Sequence, residues 1–376
     1  MVSICEGAET LACLSSSPMK ILSVVGARPQ FIKASPLSLE IRRQYEEILV
    51  HTGQHYDHGM SDVFFEDLGI PVPNYHLGIG SGTHGAQTGA MLQAIEAVLQ
   101  KEQPDAVIVY GDTNSTLAGA LAAAKLHIPV AHIEAGLRSF NRAMPEEVNR
   151  VLTDHVSTWL FAPSELSRGQ LAKEGIQSGV HIVGDIMYDA LLLQRSRAET
   201  SSPVLDQLGL SPKSYYVATV HRAENTDRRE VLASIFEGLG RLDKPVVMPL
   251  HPRTLKKIEE FQILMRENVK PLKPLGYLDM LKLQSQASCI LTDSGGVQKE
   301  AYYLSVPCVT LRSETEWVET VTVGWNRICG TESVAIDEGV RKMEGCQAPH
   351  PNLYGDGTTA QRIVEILSRD GGKTVQ

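Results

Sequence analysis

Short apolar runs alternate with amphipathic stretches through most of the chain. The apolar runs have the length of buried strands, and the stretches between them have apolar residues at helical spacing. This alternation predicts βαβ units in parallel sheets. The predicted strands cover residues 20–25, 47–52, 105–109, 128–133, 158–162 and 180–183 in the first half, and 215–220, 245–249, 288–292 and 307–311 in the second.

The apolar pattern lapses between residues 195 and 212, where serine, proline and charged residues are frequent. A chain of 376 residues is long enough for two domains with buried cores. We therefore predict an α/β protein with two doubly wound parallel-sheet domains, divided in this segment. Structure is expected to begin at residue 19, since the extension 1–18 lacks the charged start and long apolar core of a signal peptide.

Composition narrows the class of protein. The net charge of −9 and the pI near 5.8 argue against a nonspecific nucleic-acid surface and favour an enzyme. No apolar run approaches the length of a membrane span, so no membrane partner is expected. The six cysteines lack Cys-x-x-Cys spacing, which predicts reduced thiols in a cytoplasmic protein and no metal site.

Carboxylates stand where two neighbouring predicted strands of the first half end. Asp112 follows the strand at 105–109, and Glu134 follows the strand at 128–133. The carboxyl ends of strands form the ligand crevice of an open α/β sheet, so both side chains are expected to face one cleft. Asp112 has a structural alternative as a helix cap, and Glu134 either pairs with an arginine or faces a ligand. Glu146 opens the next predicted helix near the same rim.

A turn between the first predicted strand and its helix is suited to binding an anion. It reads Gly26-Ala27-Arg28-Pro29, and a proline in the first helical turn favours an exposed helix N-terminus. Arg28 and Lys33 add positive charge there. One glycine after a strand is a weak phosphate signal, so packing within the fold is an equal alternative.

A second anion-binding turn, Ser294-Gly295-Gly296, lies between the strand at 288–292 and a helix. Free backbone N–H groups and the helix dipole can hold a phosphate at such a turn. Glu300, about two turns into the helix, is placed to reach a ribose hydroxyl. Close packing of the glycines is the structural alternative. His221 follows another predicted strand of this half.

The two halves therefore differ in the chemistry they offer. One supplies an anion site, and the other supplies a row of carboxylates. A substrate that spans both would carry phosphates at one end and undergo acid–base chemistry at the other. A nucleotide sugar has this form.

The chain resembles the non-hydrolysing UDP-N-acetylglucosamine 2-epimerases over nearly all of residues 19–367. The motifs that carry the resemblance are Gly26-Ala-Arg-Pro-Gln, Gly111-Asp-Thr, His132-Ile-Glu-Ala-Gly-Leu-Arg, Pro145-Glu-Glu-Val-Asn-Arg, Leu291-Thr-Asp-Ser-Gly-Gly and Tyr354-Gly-Asp-Gly. The resemblance implies a glycosyltransferase-B-like fold, in which two Rossmann-like domains face a closing cleft, usually in a homodimer. It also implies a C-terminal helix that crosses back onto the first domain. The expected division is then an extension (1–18), a carboxylate-bearing domain (19–195), a UDP-binding domain (196–357) and the returning helix (358–376).

The implied reaction eliminates UDP from the sugar to leave a glycal and then adds UDP back, with a proton delivered to the opposite face of carbon 2. A UDP-sugar is the expected partner, and neither NAD nor a metal is expected as a cofactor. Two opposite faces need two proton-handling groups, and carboxylates also stabilise the positive charge that develops as UDP leaves.

The resemblance assigns these tasks by matching position. Asp112, Glu134 and Glu146 match the acid–base carboxylates. The UDP-binding positions are matched by Arg28, His221, Ser294, Gly295, Gly296 and Glu300, with Lys33 near the phosphates. His221 is expected to support departure of the diphosphate. Which carboxylate removes the proton and which returns it stays open.

Two departures from the family pattern point to one branch. Thr315-Glu-Trp-Val-Glu replaces the usual Thr-Glu-Arg-Pro-Glu, and the loop at 54–57 lacks the basic residue that follows its histidine in members activated by a second substrate molecule. Both features resemble the branch acting on UDP-2,3-diacetamido-2,3-dideoxyglucuronate, a precursor of bacterial surface polysaccharide such as lipopolysaccharide O-antigen. A uronate would favour a nearby cation, for which Arg138, Arg142 and Arg150 are candidates.

Other function classes remain compatible with the sequence. A glycosyltransferase of the same fold would need an acceptor and would leave Glu134 and Glu146 without a paired role. A hydrolysing epimerase would release UDP and the free sugar. A regulator would bind a UDP-sugar without exchanging the proton on carbon 2.

Overall fold

The computed structural model describes residues 18–54 and 70–371. Its first domain contains a seven-stranded parallel sheet in the order β3-β2-β1-β4-β5-β6-β7. The strands are β1 (Lys20–Val25), β2 (Glu46–His51), β3 (Tyr75–His76), β4 (Ala106–Tyr110), β5 (Val130–Ile133), β6 (Trp159–Ala162) and β7 (Val180–Ile182). The helices are α1 (Arg28–Ile41), α2 (His84–Glu102), α3 (Asn114–Lys125), α4 (Pro145–Val156), α5 (Glu165–Lys173) and α6 (Ile186–Ser201).

The second domain repeats this architecture with a six-stranded parallel sheet in the order β10-β9-β8-β11-β12-β13. Its strands are β8 (Tyr216–Thr219), β9 (Val246–Pro249), β10 (Val269–Leu272), β11 (Cys289–Thr292), β12 (Cys308–Thr310) and β13 (Asn326–Ile328). Its helices are α7 (Val204–Leu208), α8 (Ala223–Thr226), α9 (Arg229–Gly240), α10 (Pro252–Glu260), α11 (Tyr277–Ser285), α12 (Gly295–Tyr303), α13 (Val318–Thr322) and α14 (Ser333–Met343).

The central strands are apolar because helices cover both faces of each sheet. All five residues of β4 and all four residues of β11 are buried. Strands buried on both faces read as continuous apolar runs rather than alternating ones. The continuous apolar runs in the sequence therefore predicted the central strands.

Each sheet has one point at which the strand order reverses. In the first sheet it lies between β1 and β4, and in the second it lies between β8 and β11. Ligands of open α/β sheets bind outside the carboxyl ends of the strands at such a switch point. Asp112 follows β4, while His221 and Asp293 follow β8 and β11. The candidate residues of both domains therefore lie at the switch points.

The last helix, α15 (Thr359–Gly371), packs against α1 and α6 of the first domain. Ile363, Val364 and Leu367 are buried in one apolar core with residues of α1. The backbone N–H of Ala360 donates to Asp189 Oδ2 at 2.8 Å. The chain thus returns to the first domain after completing the second.

The predicted boundary segment, residues 195–212, begins inside a helix. Residue 195 lies in α6, which continues to Ser201 before the chain leaves the helix. The polar composition of residues 195–201 is that of an exposed helical end. The predicted domain limits stay predictions. Within the described ranges, none of the helices is both long enough and apolar enough for a bilayer crossing.

Candidate active site

The two strand ends that carry Asp112 and Glu134 lie side by side. β4 and β5 are paired with Tyr110 opposite Ile133, and the N–H of Gly111 donates to the carbonyl of Ile133 at 3.0 Å. Glu134 has a φ of +70°. A left-handed conformation at a residue other than glycine is costly and is typical of functional sites, where the surrounding structure holds it in place.

Gly111 lets these two strand ends approach one another. Its φ is +65°, and a Cβ atom there would lie 3.2 Å from Lys33 Nζ and 3.4 Å from Glu134 Oε2. The positive φ is the main reason for a glycine before Asp112, since other residues adopt this conformation at a cost.

The carboxylate of Glu134 lies between two ammonium groups. Lys33 Nζ donates to Oε2, and Lys299 Nζ donates to Oε1 at 3.1 Å. Burial by itself raises the pKa of Glu134, but Lys33 and Lys299 outweigh it and lower the pKa to about 2. Glu134 is therefore ionised at neutral pH.

The start of α4 is tied to the end of β4. Asn149 Nδ2 donates to the carbonyl of Asp112 at 2.9 Å, and the Arg150 guanidinium binds the Asp112 carboxylate. Glu147 is buried and accepts hydrogen bonds from the backbone N–H groups of residues 139 and 140, so it holds the preceding loop. Glu146, in contrast, is exposed in the first turn of the helix. The acid predicted for catalysis is thus the solvent-facing one of the pair.

Two of the three arginines considered for a uronate are already bound to carboxylates. Arg138 is 6% exposed and pairs with Asp154 at 2.7 Å and with Glu174 at 2.8 Å. Arg150 pairs with Asp112 and also with Glu147 at 3.0 Å. Arg142 is exposed in the loop before α4.

In the second domain, a buried aspartate organises the turn that carries His221. Asp293 follows β11 and accepts hydrogen bonds from the backbone N–H groups of His221 and Arg222 at 3.0 Å each. Its Oδ1 also lies 3.2 Å from His221 Nδ1. Burial raises the pKa of Asp293, but the hydrogen bonds and charge of His221 outweigh it and lower the pKa. Asp293 therefore orients a His221 ring that is half exposed.

The two glycines at the start of α12 have different environments. A Cβ atom on Gly295 would lie 2.4 Å from Glu316 Oε1 and 3.2 Å from Trp317 Nε1, so close packing requires this glycine. A Cβ atom on Gly296 would meet only Ser294 Oγ, at 3.8 Å. Space in front of Gly296 lets another group approach the backbone at the positive end of the helix dipole.

The Ser294 hydroxyl caps α12 by accepting from the N–H of Val297 at 3.5 Å. Glu300 is half-buried in the second turn of the same helix. The structure therefore places Ser294 and Gly296 at the start of α12, at the switch point of the second sheet. The roles of these residues and of Glu300 toward UDP stay predictions.

The turn before α1 is held by side-chain hydrogen bonds. The side-chain oxygen of Gln30 accepts from the N–H groups of Gly26 and Ala27, at 2.8 and 3.0 Å. A Cβ atom on Gly26 would lie 2.1 Å from Ser115 Oγ. These contacts favour the packing alternative for Gly26, and the anion site at this turn stays a prediction.

Two further predictions concern the same region. The ammonium of Lys33 binds Glu134, so its role toward phosphates stays a prediction. The backbone of Arg28 begins α1, and its predicted role toward UDP stays untested. In the loop at 54–57, residues 55–57 lie outside the described residues; Gln54 Oε1 accepts from the Ser115 N–H at 3.1 Å.

The residues that sequence reasoning missed are those that support the site. Lys299 directly precedes the predicted site residue Glu300 in the sequence, yet its contact with the other domain was not predicted. Asp185 follows β7 at the carboxyl edge of the sheet and binds Lys299. Its position after a strand was a usable signal.

A separate cavity of about 300 Å³ lies at the opposite edge of the second sheet. Its lining includes Lys213, Lys244 and Ser288, each of which precedes a strand. Ligand crevices of parallel sheets form at the carboxyl ends of the strands, so this cavity is not the candidate site.

A family model described as UDP-N-acetylglucosamine 2-epimerase matches residues 38–368. The chain belongs to this family. The predicted resemblance and the isomerase class are thereby confirmed.

Two relatives cover almost the whole chain. A UDP-N-acetylglucosamine 2-epimerase homolog from Methanococcus maripaludis is 54% identical, over 93% of this chain and 99% of its own. The UDP-2,3-diacetamido-2,3-dideoxy-D-glucuronate 2-epimerase of Pseudomonas aeruginosa is 51% identical, over 93% of this chain and 100% of its own.

The fold is shared with a solved structure. The UDP-GlcNAc 2-epimerase of Methanocaldococcus jannaschii, crystallised with UDP-GlcNAc and UDP, is 46% identical with a TM-score of 0.84, over 93% of this chain and 100% of that one. The predicted fold class, two doubly wound parallel-sheet domains in a glycosyltransferase-B-like arrangement, is confirmed.

Proposed function

We propose that this enzyme inverts carbon 2 of a UDP-linked 2-acetamido sugar by eliminating UDP and adding it back. The C1–O bond breaks with its electron pair leaving on UDP, and the proton on carbon 2 passes to a base, which leaves a C1–C2 double bond. A proton then joins carbon 2 from the opposite face, and a UDP oxygen reforms the bond to carbon 1. Atoms and charges balance without a further reactant.

The observation that carries this proposal is the meeting of the two domains at Glu134. Lys299, on the same helix as the predicted anion-binding turn, binds a carboxylate that follows β5, next to the switch point of the other sheet. A substrate held by its diphosphate at the start of α12 would place its sugar toward Asp112 and Glu134. The crystallised relative that holds UDP-GlcNAc and UDP supports a UDP-sugar as the ligand.

The charge states favour different roles for the three carboxylates. Because Glu134 is held ionised, it is suited to accepting a proton or to stabilising positive charge on the sugar, and not to donating a proton. We assign proton donation to Asp112 or Glu146, which are more exposed. The Arg150–Asp112 ion pair joins the helix that carries Glu146 to the strand end that carries Asp112, so these two acids stay close together.

The sugar that we propose is UDP-2,3-diacetamido-2,3-dideoxyglucuronate, with UDP-GlcNAc as the second candidate. The Pseudomonas aeruginosa relative supports the first, and the Methanocaldococcus jannaschii relative supports the second. Trp317, in place of the arginine usual in the family motif, also favours the first. Of the three arginines considered for its carboxylate, Arg142 is the one without a carboxylate partner recorded among the described residues.

Proton NMR in D2O tests reaction and substrate together. Each UDP-sugar is supplied separately, and deuterium at carbon 2 with a new manno epimer is expected in the true substrate. Accumulation of free UDP and free sugar would indicate a hydrolysing epimerase. Binding without exchange would indicate a regulator, and turnover only with an added acceptor would indicate a glycosyltransferase.

Replacing His221 by alanine is expected to lower kcat about 10- to 100-fold, because the ring oriented by Asp293 supports departure of the diphosphate. Turnover and UDP affinity are measured for both enzymes. His155→Ala is the matched control, since its side chain is 47% exposed against 45% for His221 and also faces a carboxylate. Wild-type kinetics in His221→Ala would show that the diphosphate does not lie beside His221.

Substituting the two glycines of α12 separates ligand contact from packing. Gly296→Ala has room for its methyl group and is expected to fold normally but to bind UDP about tenfold more weakly, a loss of about 1.4 kcal/mol. Gly295→Ala displaces Glu316 and is expected to lower the free energy of unfolding by about 1–2 kcal/mol. Calorimetric titration with UDP and urea unfolding measure the two effects. Unchanged UDP affinity in Gly296→Ala would move the anion site elsewhere.

Further predictions concern the oligomeric state, the cellular location and the biosynthetic role of the enzyme. We propose that it acts as a homodimer in the cytoplasm, in synthesis of a surface polysaccharide precursor. Analytical ultracentrifugation of the purified protein tests the first point, and a monomer at micromolar concentration would refute it.

A further inference from the structure

Lys299 belongs to the second domain but binds carboxylates of the first. Its Nζ lies 3.1 Å from Glu134 Oε1 and donates a second hydrogen bond to Asp185 Oδ2. The side chain is 5% exposed. A lysine buried to this degree needs compensating negative charge, and here the first domain supplies it.

The second domain holds the same ammonium in place from its own side. Lys299 Nζ lies 4.3 Å from the centroid of the Trp317 ring, which is the geometry of a cation–π contact. Trp317 also packs against Gly295, at the start of the helix that carries Lys299. The position of the ammonium is therefore linked to the helix end at which we place the diphosphate.

Charged and titratable groups face this cluster from several elements. Lys33 of α1 binds the other oxygen of Glu134, and Glu319 of α13 adds a negative charge near Lys299. The Tyr303 phenol lies near Asp185 and Glu134, and burial raises its pKa well above the usual value. Asp185 Oδ1 accepts from the N–H of Met187 at 2.8 Å, which fixes Asp185 as the cap of α6.

We propose that Lys299 is a positioning residue that couples closure of the cleft to the orientation and charge of Glu134. When the domains are together, Glu134 is held by two ammonium groups and cannot turn away from the sugar. When they separate, Lys299 leaves and Lys33 alone remains. This inference deepens the proposed function and rests on it for the catalytic role of Glu134.

The charge state of Lys299 agrees with its position between two carboxylates. Burial lowers the pKa of Lys299, but Asp185 and Glu134 outweigh it and raise the pKa, so the ammonium stays charged. Removing it leaves the effect of burial on Glu134 less opposed, and the pKa of Glu134 then rises.

The kinetic test compares Lys299→Met, Lys299→Arg and the exposed control Lys256→Met. Lys299→Met is expected to lower kcat about 10- to 100-fold and to change UDP affinity less than about threefold. Lys299→Arg, which keeps the charge, should restore most of the wild-type kcat. A wild-type kcat in Lys299→Met, or a change in KM alone, overturns the proposal.

Asp185→Asn provides a second variant that keeps the cap of α6. Asparagine caps a helix about as well as aspartate, but it removes one of the two negative charges that hold Lys299. A smaller fall in kcat than in Lys299→Met, with UDP affinity little changed, is expected. A wild-type kcat would contradict the cluster as a functional unit.

Hydrogen exchange measures closure without any turnover. UDP is expected to protect residues 134–138 in the wild-type enzyme and in Lys256→Met, although UDP binds in the other domain. Loss of that protection in Lys299→Met supports the coupling, and equal protection in both variants overturns it. If no UDP-sugar shows exchange at carbon 2, the proposed function fails, while this experiment still decides whether Lys299 couples the domains.

Discussion

Replacing Glu134 by glutamine is expected to lower epimerisation about 10³-fold while UDP still binds. Glutamine cannot accept the proton from carbon 2 and carries no charge to stabilise the sugar as UDP leaves. Its amide NH2 would also face the ammonium of Lys33 or Lys299. UDP affinity should change little, because the proposed diphosphate site belongs to the other domain. Deuterium incorporation at carbon 2 and calorimetric titration with UDP measure the two quantities.

Glu47→Gln is the matched control for this experiment. Glu47 is also a buried, ion-paired glutamate of the first domain, bound by Arg42 at 2.7 Å and by Ser23 at 2.8 Å. It stands near the start of β2, at the edge of the sheet opposite the cleft. The control should lose stability but keep kcat. Unchanged turnover in Glu134→Gln would remove Glu134 from the catalytic set.

The strands that the sequence predicted are those in the middle of each sheet, together with the edge strand β7. The three that it missed, β3, β10 and β13, all lie at sheet edges. Edge strands are short and tolerate polar residues and proline, as in the Val-Lys-Pro-Leu of β10. Their apolar signal is weak because one side of the strand has no neighbour, so hydrophobic pattern alone does not reveal them.

Some contacts of the site follow from local sequence, and others depend on residues far apart in the chain. Each predicted strand-end residue lies at the carboxyl edge of its own parallel sheet, as the topology predicted. These residues are Asp112 and Glu134 in the first sheet, and His221 and the α12 turn in the second. The contacts of Lys299 with Glu134 and Asp185 join residues 165 and 114 positions apart. No local pattern encodes such a pairing. It depends on how one domain lies against the other.

Gln30 gives the turn before α1 a structural role beside the predicted one. Proline at the start of α1 and the glycine before it fit an anion site, and the Gln30 side chain accepts hydrogen bonds from the N–H groups of Gly26 and Ala27. Its Nε2 also donates to the carbonyl of Tyr110 at 2.8 Å, which links α1 to the end of β4. The motif therefore serves the site indirectly, by fixing the strand end that precedes Asp112.

Removal of Asp154 is expected to cause the largest loss of stability. Its carboxylate is fully buried and binds His132 Nδ1 at 2.7 Å, the Arg138 guanidinium at 2.7 Å and the N–H of Gly136 at 3.1 Å. Asp154→Ala would leave Arg138 buried with Glu174 as its remaining partner. Breaking a buried pair in this way costs about 3–5 kcal/mol, and urea unfolding should show a loss of that size.

The same substitution should also reduce activity. His132 Nε2 lies 2.8 Å from the carbonyl of Gly111, so Asp154 fixes the imidazole that holds the turn before Asp112. Asp227→Asn is the control, because its ion pair with Arg253 is about half exposed and solvent screening leaves it little effect on stability. A loss of stability in Asp154→Ala no larger than in the control would contradict the assigned role.

The pH dependence of the unfolding free energy provides an independent check that Asp154 stabilises the fold in its ionised form. Burial raises the pKa of Asp154, but the charge and hydrogen bonds of His132 and Arg138 outweigh it and lower the pKa below that of the unfolded chain. A carboxylate of this kind contributes stability above its unfolded pKa, near about 3.9, and loses it as the pH falls toward the folded value. The difference in unfolding free energy between wild type and Asp154→Ala should therefore be constant near neutral pH and should narrow below about pH 4. A difference that widens with acidification would mean that Asp154 does not act as the ionised partner of Arg138.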